Sequence, residues 1–203
     1  MTAMDEAALI AAAKKGDLDS FNALVLHYQH QVYNLAYRIM GDPASASDAT
    51  QEAFISAWKN MGGFRGGSFR SWLLRIVTNA CYDELRHEKR RPASSLESLY
   101  VEDPTPDADL PPSQLESPEA FVQRRELNRA IQAGIAQLPP DQRTTLVLSD
   151  VQGMSYEEIA EATGANLGTV KSRLSRARAR LRDLILEHVE LVSTEYRLQS
   201  EGA

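Results

Sequence analysis

Apolar residues in the first part of the chain return every three or four positions, and no stretch alternates convincingly between apolar and polar. Phe21, Leu24, Val25, Tyr28, Val32, Leu35, Ala36 and Ile39 share one side of a helical wheel, the mark of an amphipathic helix with one buried face. Gly41 ends it. Asp42 then offers a capping carboxylate and Pro43 stands at a first helical position, where a missing N–H costs nothing. A second helix is therefore predicted, burying Ala49, Ala53, Phe54, Ala57, Trp58 and Met61. A third, from about Trp72 to Arg86, divides into an apolar side (Leu73, Ile76, Val77, Ala80) and a polar one.

The periodicity stops between residues 93 and 117, a stretch that holds Pro104, Pro106, Pro111 and Pro112 and buries too little to fold alone. It resumes at Ser117-Pro118-Glu119, which reads as cap, first position and dipole-favourable acid of a helix ending near Leu138-Pro139-Pro140. A further helix runs to about Asp150. Ser155 and Glu158 then form a capping box for a short helix that Gly164 terminates, and Asn166 caps the one after it. Two helices joined by about four residues with glycine at the bend make a helix-turn-helix whose second member is the reader.

The expected fold is thus all-α, with two small helical domains joined by a flexible acidic Pro-rich linker: residues 1–92, linker 93–117, a helix-turn-helix domain 118–190, and a tail 191–203. A length of 203 residues, 43% hydrophobic and 25% charged, suits a globular chain of that kind. The apolar run Ala7–Ala13 is too short to span a membrane. Acids precede it and lysines follow it, the reverse of a secretory signal, so a cytoplasmic chain without membrane insertion is expected. Cys81 is the sole cysteine, which excludes an intramolecular disulfide and a cysteine-cluster zinc site; with four scattered histidines, neither metal nor cofactor is expected.

A net charge of −6 argues, taken whole, against a nucleic-acid partner. Divided, it does not. Residues 1–92 carry 11 Lys/Arg against 10 Asp/Glu, residues 93–120 none against 7, and residues 121–203 carry 11 against 11. On the last predicted helix Gly168, Ser172, Ser175 and Ala179 form a small-residue centre. Lys171, Arg178 and Arg182 flank it on one side and Arg173, Arg176 and Arg180 on the other, with no acid between 171 and 182. That shape lets a helix sink into a major groove while its flanks hold the phosphates.

The first domain offers two further surfaces. Asp48, Gln51 and Glu52 line the polar side of its second helix, either as an ordinary solvated face or as a match for a basic partner. The segment Gly62 to Trp72 joins Arg65 and Arg70 to three aromatic rings, Phe64, Phe69 and Trp72. It suits unpaired bases, since rings stack them and arginines hold phosphates, although Phe64 and Trp72 serve equally as core anchors. The polar side of the third helix bears Arg75, Asn79, Tyr82, Arg86 and Lys89, groups able to contact phosphates and base edges.

Asp48–Phe54, Phe64–Gly66, Trp72–Ile76 and Asn79–Arg86 together resemble the promoter-melting domain of ECF-type sigma factors of bacterial RNA polymerase. Leu138–Pro140, Gly153–Ala160, Gly168–Arg173 and Arg176–Arg178 resemble that family's upstream-element-binding domain. The resemblance implies that Asp48, Gln51 and Glu52 dock on core polymerase. It implies that Phe64, Arg65, Ser68, Phe69, Arg75, Asn79, Tyr82 and Arg86 capture the melted minus-ten element, with a flipped base in the loop. Gly168, Thr169, Lys171, Ser172, Arg173 and Arg176 would read the minus-thirty-five element as duplex. It further implies a linker threading the RNA exit path, an anti-sigma protein as a partner, and no catalytic residue of its own.

Three other readings stand beside it. A stand-alone helix-turn-helix regulator would bind a palindromic site as a dimer, which leaves the aromatic loop unexplained. An enzyme built on His27 and His30 lacks a third ligand. A pure protein-interaction module leaves the basic reader helix without purpose.

Overall fold

The computed structural model describes residues 5–90 and 118–201, and every regular element among them is helical. The expected linker lies outside the described residues. In chain order the elements are α1 (Glu6–Ala13), α2 (Leu18–Met40), α3 (Pro43–Asn60), a short 3-10 turn (Met61–Gly63), α4 (Phe69–Arg90), α5 (Pro118–Ala136), α6 (Pro140–Leu146) with a π-helical continuation to Val151, α7 (Tyr156–Thr163) and α8 (Leu167–Glu201). Positions 191–201, set apart from the sequence as a tail, continue α8 without a break.

The predicted punctuation is present. Gly41 closes α2 in the left-handed conformation at φ 80°, and the Asp42 carboxylate accepts from the Ser45 N–H at 2.7 Å to open α3. Ser155 and Glu158 form both halves of a capping box on α7, which Gly164 ends at φ 65°. Asn166 Oδ1 accepts from the Thr169 N–H at 2.8 Å to start α8. α1 is an addition: the run noted only as too short for a membrane is a helix capped by Asp5. It is tied down by the Tyr28 hydroxyl donating to Glu6 at 3.2 Å and by Lys14 Nζ donating to the Phe64 carbonyl at 2.7 Å.

Two cores merge into one. Leu24, Val32, Leu35, Ile39, Leu73, Leu74 and Val77 fill the first lobe, and Leu146, Val147, Leu148, Ile159, Val170, Leu174 and Ala177 the second. Fully burying an aliphatic side chain is worth about 1.5–3 kcal/mol over leaving it exposed, so these positions dominate each lobe's stability. The sequence leaves the relation of the lobes open; in the structure α2 packs against α5 and α6, and α4 against α7. Arg143, on α6, ties the seam together by donating to the Ile39 carbonyl at 2.7 Å, to that of Leu138 at 3.2 Å, and to that of Ala136. Those acceptors lie at or just beyond helix C-termini, where carbonyls lack intrahelical partners and attract a cation.

Candidate nucleic-acid interface

α8 presents the face that its sequence predicts. Val170, Leu174 and Ala177 are buried against the second lobe, while Gly168, Lys171, Ser175, Arg176, Ala179 and Arg180 are exposed. Ser172 is half-buried and donates its hydroxyl to the Thr169 carbonyl at 3.0 Å. Gly168 has a local task too: a Cβ there would lie 3.3 Å from Asn166 Oδ1, the atom that caps the helix.

The basic flanks differ from the expectation of uniformly available charge. Arg173 is paired with Asp141 at 2.6 Å, and Arg178 grips Asp150 with two nitrogens at 2.9 and 2.6 Å. The Arg178 hydrogen bonds hold the Asp150 carboxyl below its ordinary range. Lys171, Arg176 and Arg180 extend into solvent, so the accessible positive charge is concentrated on fewer residues than the sequence suggests.

In the first lobe, α4 begins earlier than predicted, at Phe69, which shortens the loop. Phe64 and Phe69 are 5% and 3% exposed and meet edge-to-face at 5.6 Å; Trp72 lies 5.3 and 5.4 Å from them. The expectation that Phe64 and Phe69 offer surfaces to bases is thus corrected for this conformation: their faces are spent on the core. Arg65, Gly66, Gly67 and Ser68 remain exposed, with Gly66 and Gly67 at φ 98° and 87° bending the chain as a side chain would resist.

The polar side of α4 separates into two parts. Arg75 and Asn79 line a groove of about 430 Å³ shared with Trp72 and Glu52. Tyr82 is partly buried, and this burial pushes its phenol above the ordinary range. The side chain of Arg86 lies outside the described ones. The buried side of α4 includes Leu74, Thr78 and Cys81 beyond the predicted stripe; the Thr78 hydroxyl satisfies itself on the Leu74 carbonyl at 2.8 Å.

On α3, Asp48, Gln51 and Glu52 are all exposed, on the side away from Ala49, Ala53 and Ala57. Ile55, 42% exposed beside them, was not singled out from the sequence. Its spacing of four and three positions from Gln51 and Glu52 puts it on their side of α3 and was the available signal. Gln152 and Glu161 were not singled out from the sequence, and neither was the way they and Glu158 meet Arg70, Arg75 and Ser71 across the seam between the lobes.

A capped helix-turn-helix with an exposed basic face, joined to a second lobe bearing an arginine- and asparagine-lined groove, defines a two-lobed, sequence-reading DNA-binding protein. Residues 24–91 match the family described as Sigma-70 region 2 and residues 128–181 that described as Sigma-70, region 4. The chain is 37% identical over 178 residues to the ECF RNA polymerase sigma factor SigE of Mycolicibacterium smegmatis, covering 88% of this chain and 66% of that one. It is 37% identical over 172 residues to the ECF RNA polymerase sigma-E factor of Escherichia coli, covering 84% and 88%. Among solved structures it is similar to the sigma factor RpoE of Bartonella quintana, determined in complex with the anti-sigma factor NepR, with 26% identity, a TM-score of 0.63, and coverage of 83% and 98%. This chain belongs to the ECF sigma factor family of bacterial RNA polymerase. No helix among the described residues is long and apolar enough to cross a membrane.

Proposed function

We propose that the chain divides promoter recognition between its lobes, residues 1–92 and 118–190, as a cytoplasmic specificity subunit without catalysis of its own. Asp48, Gln51 and Glu52 dock on a basic helical surface of core polymerase, with Ile55 as an apolar anchor. Lys171, Ser172 and Arg176, with Arg173 once it leaves Asp141, read the minus-thirty-five element in the major groove; Gly168 and Thr169 set the helix start close to the DNA. Arg65, Ser68, Arg75, Asn79, Tyr82 and Arg86 take the melted minus-ten strand, with Phe64 and Phe69 shaping the floor beneath the loop. Separated strands expose base edges and phosphates together, which an arginine, an asparagine and a tyrosine on one helix face are suited to hold.

The observation that carries this reading is the coexistence of two differently built DNA surfaces on one chain. A duplex-reading regulator needs only the small-centred basic face of α8, and the groove at Arg75 and Asn79 would then be idle. Residues 93–117 serve as the connection through the RNA exit path. The Bartonella relative's complex with an anti-sigma factor supports a protein inhibitor as a partner of this chain as well.

Pull-down and promoter footprinting with core polymerase test the division. Asp48→Arg with Glu52→Arg should abolish retention on core polymerase. Arg176→Ala should leave retention intact and remove protection of the upstream element alone. Loss of upstream protection in the α3 variant with core binding unchanged would sink the assignment.

A further inference from the structure

Two separate lines of contact run from α1 to one residue of the loop before α4. In the first, Lys14, at the C-terminal end of α1, reaches across fifty positions of sequence to donate from Nζ to the Phe64 carbonyl at 2.7 Å. In the second, Glu6 accepts from the Tyr28 hydroxyl at 3.2 Å, the Tyr28 ring lies 5.6 Å from that of Phe69, and Phe69 meets Phe64 edge-to-face at 5.6 Å. Burial, with the Glu6 charge beside it, pushes the Tyr28 phenol up to about 12, so it stays a donor throughout the neutral range. Phe64 is thereby held at its ring and at its carbonyl, and both holds lead back to α1.

The far end of the loop is fixed by Ser68, whose hydroxyl accepts from the Ser71 N–H at 3.1 Å and whose carbonyl accepts from the Trp72 N–H at 3.1 Å. Between these two anchors lie Arg65, Gly66 and Gly67, all exposed, with the glycines at φ 98° and 87°. Glycines restrict the backbone least, so the direction in which the chain leaves each anchor decides what the segment between them presents. The Phe64 carbonyl shares one rigid peptide plane with the Arg65 N–H. An ammonium seated on that oxygen fixes the plane, and with it the direction in which Arg65 departs from the core.

We propose that Lys14 is a positioning residue for capture of the melted strand: through the Phe64 carbonyl it sets the peptide plane from which Arg65 and the two glycines meet the minus-ten element. The inference rests on the minus-ten role proposed above for this loop, and it makes α1 part of the promoter-reading apparatus. A loop aimed in advance has less freedom to lose when the strand arrives. Without the brace, ordering the backbone of one further residue on binding costs about five- to thirtyfold in affinity.

The test uses holoenzyme assembled from core polymerase and the full chain, titrated at several salt concentrations against a labelled single strand carrying the minus-ten element of a promoter that the chain directs. Lys14→Met should weaken binding by about five- to thirtyfold, with core retention and thermal stability little changed. Because no phosphate contact is removed, the slope of log affinity against log salt should match that of the unaltered chain, whereas loss of one phosphate contact would lower it by about 0.7. Lys14→Arg, which keeps a charged donor of similar reach, should restore most of the affinity. Lys15→Met removes the same charge from the exposed neighbouring position and should bind like the unaltered chain. Arg65→Ala separates the two readings: strand affinity lost there but kept in Lys14→Met would overturn the brace alone, and affinity kept in both would overturn the minus-ten role and the brace with it. A loss in Lys14→Met that is matched by Lys15→Met and comes with a shallower salt slope would show charge rather than position at work, and would equally overturn the proposal.

Discussion

Arg176 stands exposed beside the small-residue stripe of α8 with no acid bound to it among the described residues, whereas its neighbour Arg173 is already engaged by Asp141. The two should respond differently to removal. Arg176→Ala is expected to weaken binding of upstream promoter duplex by about 1–3 kcal/mol and to leave thermal stability within about 0.5 kcal/mol, as calorimetry and a binding titration would show. Arg173→Ala should disturb the packing of α6 on α8 as well as DNA binding. A helical wheel identified all six basic residues of this face, but an acid supplied from more than twenty positions away has no local signature, which is why Asp141 and Asp150 were not foreseen. The same holds for Phe64 and Phe69, since a ring in a glycine-rich loop reads alike as core or as platform until its burial is known. Burial also governs Cys81, whose thiol is pushed up to about 12 by desolvation. At pH 7 to 8 it should resist iodoacetamide in the native chain and react once denaturant unfolds it; ready native labelling would contradict its placement.

At the scale of elements, helix ends were the most legible feature. Gly41, Asp42, Ser155, Glu158, Gly164 and Asn166 all do what their types predict, because capping is settled within four residues. Ser155→Ala should therefore cost about 1 kcal/mol in chemical denaturation. α1 was missed for the opposite reason: it is apolar on nearly every side, and it is held through Tyr28–Glu6 and Lys14–Phe64 contacts that no window of sequence contains. The π-helical continuation of α6 is tied to α8 by Asp150 and Arg178. Because the folded chain holds the Asp150 carboxyl below its ordinary value near 3.8, its contribution is present above that value and is lost as pH falls through the lower, folded value. Asp150→Asn should thus be less stable than the unaltered chain at pH 7, with the difference shrinking below about pH 4. An equal difference at pH 7 and pH 3 would show the pair to be idle.

For the whole molecule, two helical lobes on either side of an acidic, proline-rich stretch could be read directly, since periodicity and composition change together at its borders. How the lobes meet could not. Arg70 finds Gln152 and Arg75 finds Glu161 across more than eighty residues, and reading the two arginines as phosphate-holding groups carried no sign of either partner. Arg143, whose guanidinium is partly desolvated where it binds three carbonyls, belongs to the same class. Charged hydrogen bonds of this kind are worth about 1.5–3 kcal/mol each, so Arg143→Met should loosen the α2–α5 seam as well as lower stability, detectable as increased hydrogen exchange at the ends of both helices.

With recognition divided between the lobes as proposed, this chain confers promoter specificity on a polymerase and reads little DNA alone. Transcription from sheared genomic DNA of its source, with core RNA polymerase in the presence and absence of the chain and with start sites mapped, tests that most directly. Initiation is expected only when the chain is added, at discrete sites preceded by two spaced elements, with weak retardation of the same DNA by the chain without polymerase. Failure to bind core polymerase, together with tight binding of a palindromic duplex by a dimer of the free chain, would contradict it.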